Sequence, residues 1–257
     1  MTDSLAPLEL ELAILSRQGG RNYNEDACGH WHSDGHLCCV VADGAGGHGG
    51  GDLASKLAVR YVIGAFAANP RHDAEAVRDI VLRANRTVIA ERARSAFPNM
   101  HTTLAALFFD LDDARARWGH AGDTRVYVFR NGRVATRTLD HSLVQSLVDA
   151  GHLAADAARN HAQRSELYSA LGTEEDQFVS TVSEPAWLMR PGDVFLMCTD
   201  GVWEYVADAT LEATLAAAPS PQAWMQALEA AVLAGAAHKP SHDNFTALTV
   251  WISTQAG

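Results

Sequence analysis

Two hairpin signals in the middle of the chain restrict its fold more than any other feature of the sequence. The mainly apolar runs 102–109 and 115–121 flank the turn Asp110-Leu-Asp-Asp113, and the runs 125–130 and 133–138 flank Asn131-Gly132. An Asn-Gly pair between two such runs is typical of a tight antiparallel hairpin, because both residues tolerate positive φ. The sequence therefore predicts that antiparallel strands form a large part of the fold.

Segments with helical periodicity lie on both sides of the hairpins. Apolar residues recur at helical spacing in three sets: Leu53, Leu57, Tyr61 and Ala65; Val77, Val81, Ala84 and Val88; and Trp224, Leu228 and Val232. This spacing places each set on one face of a helix. Hairpins combined with a pair of helices exclude a regular alternation of strands and helices, which favours an α+β fold with helices covering antiparallel sheets.

The remaining strands are predicted from shorter patterns. Alternation of apolar residues with glutamates over 8–14 predicts a strand with one wet face, and the apolar run 37–42 predicts a strand buried on both faces. Further strands are expected at 179–188, 194–198 and 245–252. The polar, Ala-rich segment 140–172 shows weak periodicity, so we expect short helices there within a mobile surface segment.

Composition and charge exclude several classes of protein. The chain of 257 residues carries 20 Lys and Arg against 31 Asp and Glu, a net charge of −11. This balance argues against a nucleic-acid partner and leaves room for bound cations. No apolar run approaches the ~20 residues that cross a bilayer, and residues 1–10 lack a secretory pattern, so we expect no membrane partner and a cytoplasmic location.

The cysteine pattern favours reduced thiols over disulfides or a cysteine cluster. Cys28, Cys38, Cys39 and Cys198 contain no Cys-x-x-Cys pair, and Cys38 and Cys39, as neighbours on one strand, should point to opposite faces. A chain of this length can build a sufficient core without disulfides. We expect one domain over 1–257.

Four aspartates lie where predicted strands end in turns. Asp43 follows 38–42, Asp200 follows 195–199, Asp243 precedes 244–252, and Asp123 lies in the corner 122–125. Any one of them has an ordinary explanation, because Asp and Asp-Gly form turns. Packed strands bring their ends together, however, and clustered carboxylates repel one another unless protonated or neutralised by cations. Hard oxygen donors suit Mg²⁺ or Mn²⁺, which leads to the hypothesis of a two-metal hydrolytic site.

Two other binding sites are compatible with parts of the sequence. Residues 44–49 match G-x-G-x-x-G between a strand and a helix, the context of a dinucleotide-binding loop. Asp43 directly before the first glycine would repel a pyrophosphate, and the acidic residue expected about 20 positions later is missing. His238, His242 and Asp243 could supply part of a zinc site, although the other ligands would have to come from elsewhere.

A series of motifs, in order along nearly the whole chain, gives a more specific interpretation. They are Arg21-Asn-Tyr-Asn-Glu25-Asp26, Val41-Ala-Asp43-Gly-Ala-Gly-Gly47-His48, Thr102-Thr103, Gly119-His-Ala-Gly-Asp123-Thr-Arg125-Val-Tyr127, Leu139-Asp-His-Ser142, His161-Ala-Gln-Arg164, Ala170-Leu-Gly172, Cys198-Thr-Asp200-Gly201 and Asp243-Asn244-Phe-Thr246. Together they resemble the metal-dependent Ser/Thr protein phosphatases of type 2C, the PPM family, in its compact bacterial form. The resemblance implies an antiparallel β-sandwich flanked by helix pairs in α-β-β-α layers, with a flap within 140–172.

The resemblance also implies metal ligands. Asp43 would bridge two Mn²⁺ or Mg²⁺ ions, with the carbonyl of Gly44 on the first ion and the carboxylates of Asp200 and Asp243 on the second. Asp123, with Asp200, would form a third and weaker metal site. Glu25 would hold metal-bound water.

The implied activity is hydrolysis of phosphoserine and phosphothreonine on proteins. Arg21 would bind the substrate phosphate, for which its planar fork is suited. Two ions would activate a bridging water whose hydroxide attacks phosphorus directly, without a phosphoenzyme. Asp43 and Asp200 would therefore be catalytic together with Arg21. The implied partners are phosphorylated proteins and a cognate bacterial Ser/Thr kinase, the chain acting as a monomer; a catalytically silent binding module on the same fold is the alternative.

Three positions depart from the family pattern. Ala45 stands where some members have a His proposed as general acid, so leaving-group protonation would fall to His48, another residue or water. His101 replaces a Gly before Thr102-Thr103, and Thr124 replaces a Ser after Asp123. None of these changes removes an implied primary metal ligand. Asn244 would support the ligand loop.

Overall fold

Two antiparallel sheets form the centre of the computed structural model, which describes residues 8–46 and 50–254. The first sheet has the strand order β1-β13-β12-β8-β9. Its strands are β1 (Leu8–Arg17), β8 (Arg125–Arg130), β9 (Arg133–Arg137), β12 (Val194–Cys198) and β13 (Phe245–Thr254). Strands β1 and β13 pair along ten residues, from Leu8 opposite Thr254 to Arg17 opposite Phe245. The two strands that are furthest apart in sequence are therefore neighbours in space.

The second sheet has the order β10-β7-β6-β3-β2, with β11 also paired to β7. Its strands are β2 (Ala27–His32), β3 (His36–Ala42), β6 (Leu104–Asp110), β7 (Arg115–Ala121), β10 (Thr181–Val182) and β11 (Trp187–Leu188). A separate small ladder joins β4 (Gly44–Ala45) to β5 (His101–Thr102). This ladder lies directly after Asp43 and directly before Thr103, so it belongs to the region of the predicted metal site.

Helices cover the outer faces of both sheets. The helices are α1 (Gly50–Ala68), α2 (Ala74–Arg92), α3 (Leu143–Asp149), α4 (Ala155–Ala158), α5 (Asp200–Trp203), α6 (Asp208–Ala217) and α7 (Pro221–Ala236). Side chains of α1 and α2 form one core with the second sheet, and those of α5, α6 and α7 form another with the first sheet. A third core fills the space between the sheets. The predicted α-β-β-α layers are confirmed.

Most predicted elements are present, and the differences have physical causes. Helix α1 buries Ala54, Ala58, Val62 and Phe66 most deeply, whereas the predicted set beginning at Leu53 is only partly buried beside them. Small Ala residues let the helix approach the sheet closely, so the buried stripe is one residue away from the largest apolar side chains. The predicted strand 179–188 is wrong as a single strand: it is two short ones, separated by a segment that contains Pro185, which has no N–H for a ladder.

Three smaller predictions are also tested by the fold. Cys38 packs in the helix-side core and Cys39 in the core between the sheets, which confirms their opposite faces. All four cysteines, each within the described residues, are free thiols. Asn131 and Gly132 have φ of 55° and 72°, as the hairpin turn requires.

None of the helices in the described part of the chain combines the length and the apolar character needed to cross a membrane.

Candidate metal centre

Asp43 is held at the end of β3 by two threonines. Its backbone N–H donates to Oγ1 of Thr103 at 2.9 Å, and its carbonyl accepts from the N–H of Thr103 at 2.8 Å. The hydroxyl of Thr102 also donates to this carbonyl, at 2.8 Å. Because three hydrogen bonds fix the peptide on both sides of the Asp43 Cα, the carboxylate projects from a rigid backbone. The run predicted as one strand at 102–109 is interrupted at Thr103, which makes these contacts.

Asp200 is the first residue of α5 and is separated from β12 by a single residue, Thr199. The preceding residue, Thr199, donates its N–H to the carbonyl of Thr246 and accepts from the N–H of Thr246 at its hydroxyl, both at 3.0 Å. Gly201 lies against the next strand so closely that a Cβ there would overlap the carbonyl oxygen of Asn244. Asp200 is therefore held beside the segment that carries Asp243.

Asn244 joins the loop before β2 to the loop before β13. Its buried side-chain amide donates to the carbonyls of Gln18 at 2.7 Å and Tyr23 at 3.0 Å, and it accepts from the N–H of Glu25 at 2.8 Å. Its own N–H donates to Oδ1 of Asp243 at 2.8 Å. A single side chain thus fixes the position of Glu25 relative to Asp243, more than 200 residues later in the chain.

Arg21 lies beside these carboxylates and is accessible to solvent. Its Nη2 donates to Oδ2 of Asp243 at 2.7 Å, and the two side chains are 57% and 42% exposed. A cleft of about 410 Å³ is lined by Arg21, Asp200 and Asp243 together with Arg164, Ser165 and residues that directly follow α5 and α7. The predicted phosphate-binding residue and two predicted metal ligands therefore share one cleft.

Asp123 is buried behind this cleft. Its carbonyl accepts from the indole N–H of Trp203 at 2.9 Å. The guanidinium of Arg125 stacks on the same indole, 3.7 Å from its centroid, and binds Asp140 through two hydrogen bonds of 2.8 and 2.7 Å. Burial first, and then the charge of Asp140, raises the pKa of Asp123 to about 7. Asp123 is therefore close to the other carboxylates, but far more enclosed than Asp243.

The acidic residues at the centre of the site influence one another. Burial, followed by the charges of Asp26 and Asp200, raises the pKa of Asp43 well above its usual range. The pKa of Asp200 is raised in the same way, by burial and then by Asp123, Glu204 and Asp243. These mutual effects place the predicted carboxylates in one electrostatic cluster.

Several oxygens in this cluster have no hydrogen-bond donor. Among the described residues, Glu25 Oε1, Asp26 Oδ1 and Asp200 Oδ1 are buried atoms without a partner. Buried polar atoms are normally satisfied, and an unpaired carboxylate oxygen requires either a proton or a cation. The all-oxygen chemistry of these groups fits Mg²⁺ or Mn²⁺.

The carboxylates are close together without forming a closed ligand set. Within 8–46 and 50–254, no three His, Cys, Asp or Glu side chains are arranged so that they could already hold a metal ion. Asp243, for example, directs its oxygens to Arg21 and to the N–H of Asn244. The same finding leaves the alternative zinc set of His238, His242 and Asp243 without support.

Asp26 belongs to the motif 21–26 but is not among the site residues predicted from the sequence. The structure buries Asp26 to 5% exposure next to Asp43, and its Oδ2 accepts from the hydroxyl of Thr199 at 3.1 Å. Burial raises its pKa to about 7. The sequence contained a signal for Asp26, because this residue directly precedes β2, just as Asp243 lies shortly before β13. Strand β2 itself was not predicted.

Gly44 is placed by close backbone packing. Its N–H donates to the carbonyl of Glu25 at 3.2 Å, and a Cβ at this position would overlap the carbonyl of Gly51. The chain at Gly44 is extended and paired with β5. His48, the candidate proton donor, and the second half of the predicted Gly44–Gly49 nucleotide loop lie outside the described residues.

The raised pKa values predict how the metal-free chain responds to pH. Carboxyls with raised pKa values keep protons in the folded state that the unfolded chain has released. The stability that these two carboxyls contribute should therefore be full below about pH 4 and fall as the pH rises towards 7, the pKa of Asp26 and Asp123. Each retained proton contributes a slope of up to about 1.4 kcal/mol per pH unit.

Thermal melting in EDTA and in Mn²⁺, between pH 5 and 8, tests this prediction. We expect Mn²⁺ to raise the melting temperature, and to raise it more at the higher pH, because the cation replaces the lost protons. NaCl at matched ionic strength is the control for general screening. An Mn²⁺ effect that shrinks as the pH rises would contradict the prediction.

Comparison with known proteins finds one matching family model and similar bacterial proteins. A family model described as protein phosphatase 2C matches residues 16–239. The serine/threonine protein phosphatase PstP of Mycobacterium tuberculosis is 35% identical over 176 residues, which is 67% of this chain and 33% of that protein. The serine/threonine phosphatase stp of Listeria monocytogenes is 31% identical over 202 residues, 76% of this chain and 78% of that protein.

A solved structure extends the similarity to nearly the whole chain. The crystal structure of the catalytic domain of PstP in complex with two manganese ions superposes with a TM-score of 0.78 at 28% identity, covering 96% of this chain and 99% of that one. The chain thus spans one third of the full-length mycobacterial relative and nearly all of its catalytic domain.

Proposed function

The chain belongs to the protein phosphatase 2C family, and from this we propose that it hydrolyses phosphoserine and phosphothreonine on proteins. The observation that carries the proposal is the cleft shared by Arg21, Asp200 and Asp243, whose carboxylates raise the pKa of the partly buried Asp43. Carboxylates for cations and a guanidinium for phosphate are the groups that phosphate-ester hydrolysis needs.

We assign two Mn²⁺ or Mg²⁺ ions to the predicted ligands. Asp43 would contact both ions, the carbonyl of Gly44 one of them, and Asp200 and Asp243 the other. When bound, such ions lower the pKa of water and offset negative charge on phosphoryl oxygens. The donor-free oxygens described above support this assignment. Glu25 would hold ordered water beside the ions, and Asp123 would contribute to a third, weaker site.

The side chains of the chain itself have separate tasks in the proposal. Arg21 presents a planar fork that can grip two phosphate oxygens, and its exposure lets it exchange Asp243 for the substrate. Asn244 holds the Arg21 loop in a fixed position relative to the Asp243 loop. Ala45 has no proton to donate, so protonation of the leaving group falls to solvent or to His48.

The proposed partners are phosphorylated proteins and the Ser/Thr kinase that phosphorylates them. One copy of the chain carries Arg21, Asp43, Asp200 and Asp243, so the proposal needs no second subunit. Residues 140–172, which contain α3 and α4, are the proposed flap. Arg164 of this segment lines the cleft.

The test is hydrolysis of p-nitrophenyl phosphate and of a phosphothreonine peptide, with Mn²⁺ and with EDTA. We expect turnover of both substrates that depends on the metal. A lack of metal-stimulated turnover would reject the proposal in favour of a silent binding module. A rise in melting temperature on adding ATP or NAD, without turnover, would favour the nucleotide-binding alternative.

Replacing Arg21 by Ala should mainly weaken phosphate binding. We expect KM to rise about 10- to 100-fold, because a hydrogen bond to a charged group contributes about 1.5–3 kcal/mol. Steady-state kinetics with the phosphothreonine peptide measure the change. Arg83→Ala, which removes an exposed arginine paired with Asp79 on α2, is the matched control. An unchanged KM in Arg21→Ala would contradict the role assigned to Arg21.

A further inference from the structure

A second basic group, separate from Arg21, lines the same cleft. Besides Asp200 and Asp243, the cleft wall contains Arg164, Glu204, Tyr205 and Lys239. Glu204 lies four residues after Asp200, and Lys239 lies four residues before Asp243. The group is therefore connected at close range to both proposed ligand segments.

Glu204 is the centre of this basic group. Its side chain is only 10% exposed and accepts two hydrogen bonds from Arg164: one from Nε and one of 3.0 Å from Nη2. Lys239 approaches the same carboxylate, with Nζ 3.9 Å from Oε2. Two cations share one carboxylate, so the group has a net positive charge of one.

The Lys239 ammonium is held in position, and its N–H groups are available to bind a ligand. It lies over the ring of Tyr205, 4.5 Å from the centroid, a cation–π contact that orients the side chain. The distance to Glu204 exceeds hydrogen-bond length, and the side chain is 47% exposed. Its N–H groups therefore face a cleft in which they can meet a ligand.

We propose that Lys239 is a specificity-determining residue that binds a negatively charged group next to the phosphorylated residue of the substrate. This inference rests on the proposed phosphatase function. The shared chemistry is a cluster of anionic oxygens, supplied either by an Asp or Glu side chain or by a second phosphate. In a chain of net charge −11, a localised cation beside the reaction site attracts acidic substrate segments that the rest of the surface repels.

The experiment compares matched phosphothreonine peptides that differ at one flanking position. That position carries Glu, phosphoserine, Gln or Arg in turn, and is moved along both sides of the phosphothreonine. For the unaltered chain with Mn²⁺, we expect kcat/KM to be about three- to five-fold higher for Glu than for Gln, the effect of one partly exposed ion pair. A larger gain for phosphoserine would identify a second phosphate as the preferred group.

Substitutions of Lys239 test whether this residue causes the preference. The Glu-to-Gln ratio should fall to about one in Lys239→Gln, return in Lys239→Arg, and turn into a preference for Arg-flanked peptides in Lys239→Glu. The chain contains only two lysines, and Lys56, which pairs with Asp52 on α1, is the natural control. Lys56→Gln should leave both rates and their ratio unchanged. The ratio should also decrease in high salt, which shortens the screening length from about 10 Å at 0.1 M to about 3 Å at 1 M.

A binding measurement separates this inference from the proposed function. An amine-reactive label, quantified by mass spectrometry, reports the accessibility of Lys239 relative to Lys56. We expect a Glu-flanked peptide to protect Lys239 more than a Gln-flanked one. Equal ratios in the unaltered chain and in Lys239→Gln would overturn the inference while leaving the phosphatase function in place. If no peptide is hydrolysed, the proposed function fails and the inference fails with it, and protection of Lys239 would then report anion binding alone.

Discussion

Replacing Asp200 by Asn should lower Mn²⁺-stimulated phosphatase turnover on the order of 1,000-fold, because the substitution removes a ligand charge at the centre of the proposed site. The two side chains have nearly the same shape, so the backbone contacts of Thr199 should persist. The metal-free protein should at the same time become more stable. The charged form of Asp200 is disfavoured by burial and by Asp123, Glu204 and Asp243, and Asn carries no charge.

The opposite signs of these two effects make the prediction specific. Turnover is measured over a range of Mn²⁺ concentrations, and stability by thermal melting in EDTA at pH 8. Asp79→Asn, which changes an exposed carboxylate on α2, should alter neither quantity appreciably. Turnover that survives in Asp200→Asn would remove Asp200 from the ligand set, and a loss of stability would show that the carboxylate is needed for the fold.

Gly201→Ala should have the largest effect on stability of any single methyl group added near the site. The new Cβ would overlap the carbonyl oxygen of Asn244 and lie 2.9 Å from its carbonyl carbon and 3.0 Å from Cβ of Phe245. These are backbone and core atoms that cannot move aside cheaply. We expect a loss of about 3 kcal/mol or more in the free energy of unfolding, the upper range for overpacking. Activity should fall as well, since the displaced α5 carries Asp200.

Gly64→Ala provides the matched control. Gly64 lies in α1, and a Cβ there would meet no atom within 4 Å. Ala is the better helix former, so this variant should gain about 0.5–1 kcal/mol. Urea denaturation of both variants measures the difference. Similar stabilities for the two would mean that α5 can move away from β13 without cost.

The sequence predicted the layers of the fold because periodicity reports which face of an element is buried. Val77, Val81, Ala84 and Val88 are all fully buried on α2, and the hairpin at Asn131-Gly132 has the expected positive φ values. The stripe on α1 was placed one residue off, since burial there follows small Ala residues that permit close packing. Side-chain size therefore misleads where the distance between helix and sheet is short.

The grouping of the carboxylates could be predicted from the sequence, but the contacts that hold them could not. Position at strand ends identified Asp43, Asp200 and Asp243, and the structure brings them into one electrostatic cluster. The role of Asp26 was missed because its strand was missed, and Lys239 was missed because its partner, Glu204, is 35 residues away. Contacts between loops depend on how the sheets pack, and no local pattern reports them.

The pairing of β1 with β13 has a consequence for synthesis of the protein. The amide of Asn244 fixes the loop of Arg21, and β13 supports that loop through the ten-residue ladder with β1. A nascent chain on the ribosome therefore cannot complete the cleft of Arg21 and Asp243 until residues 244–254 have emerged from the exit tunnel. Under the proposed function, copies that have not reached this point of synthesis would be unable to remove phosphate groups.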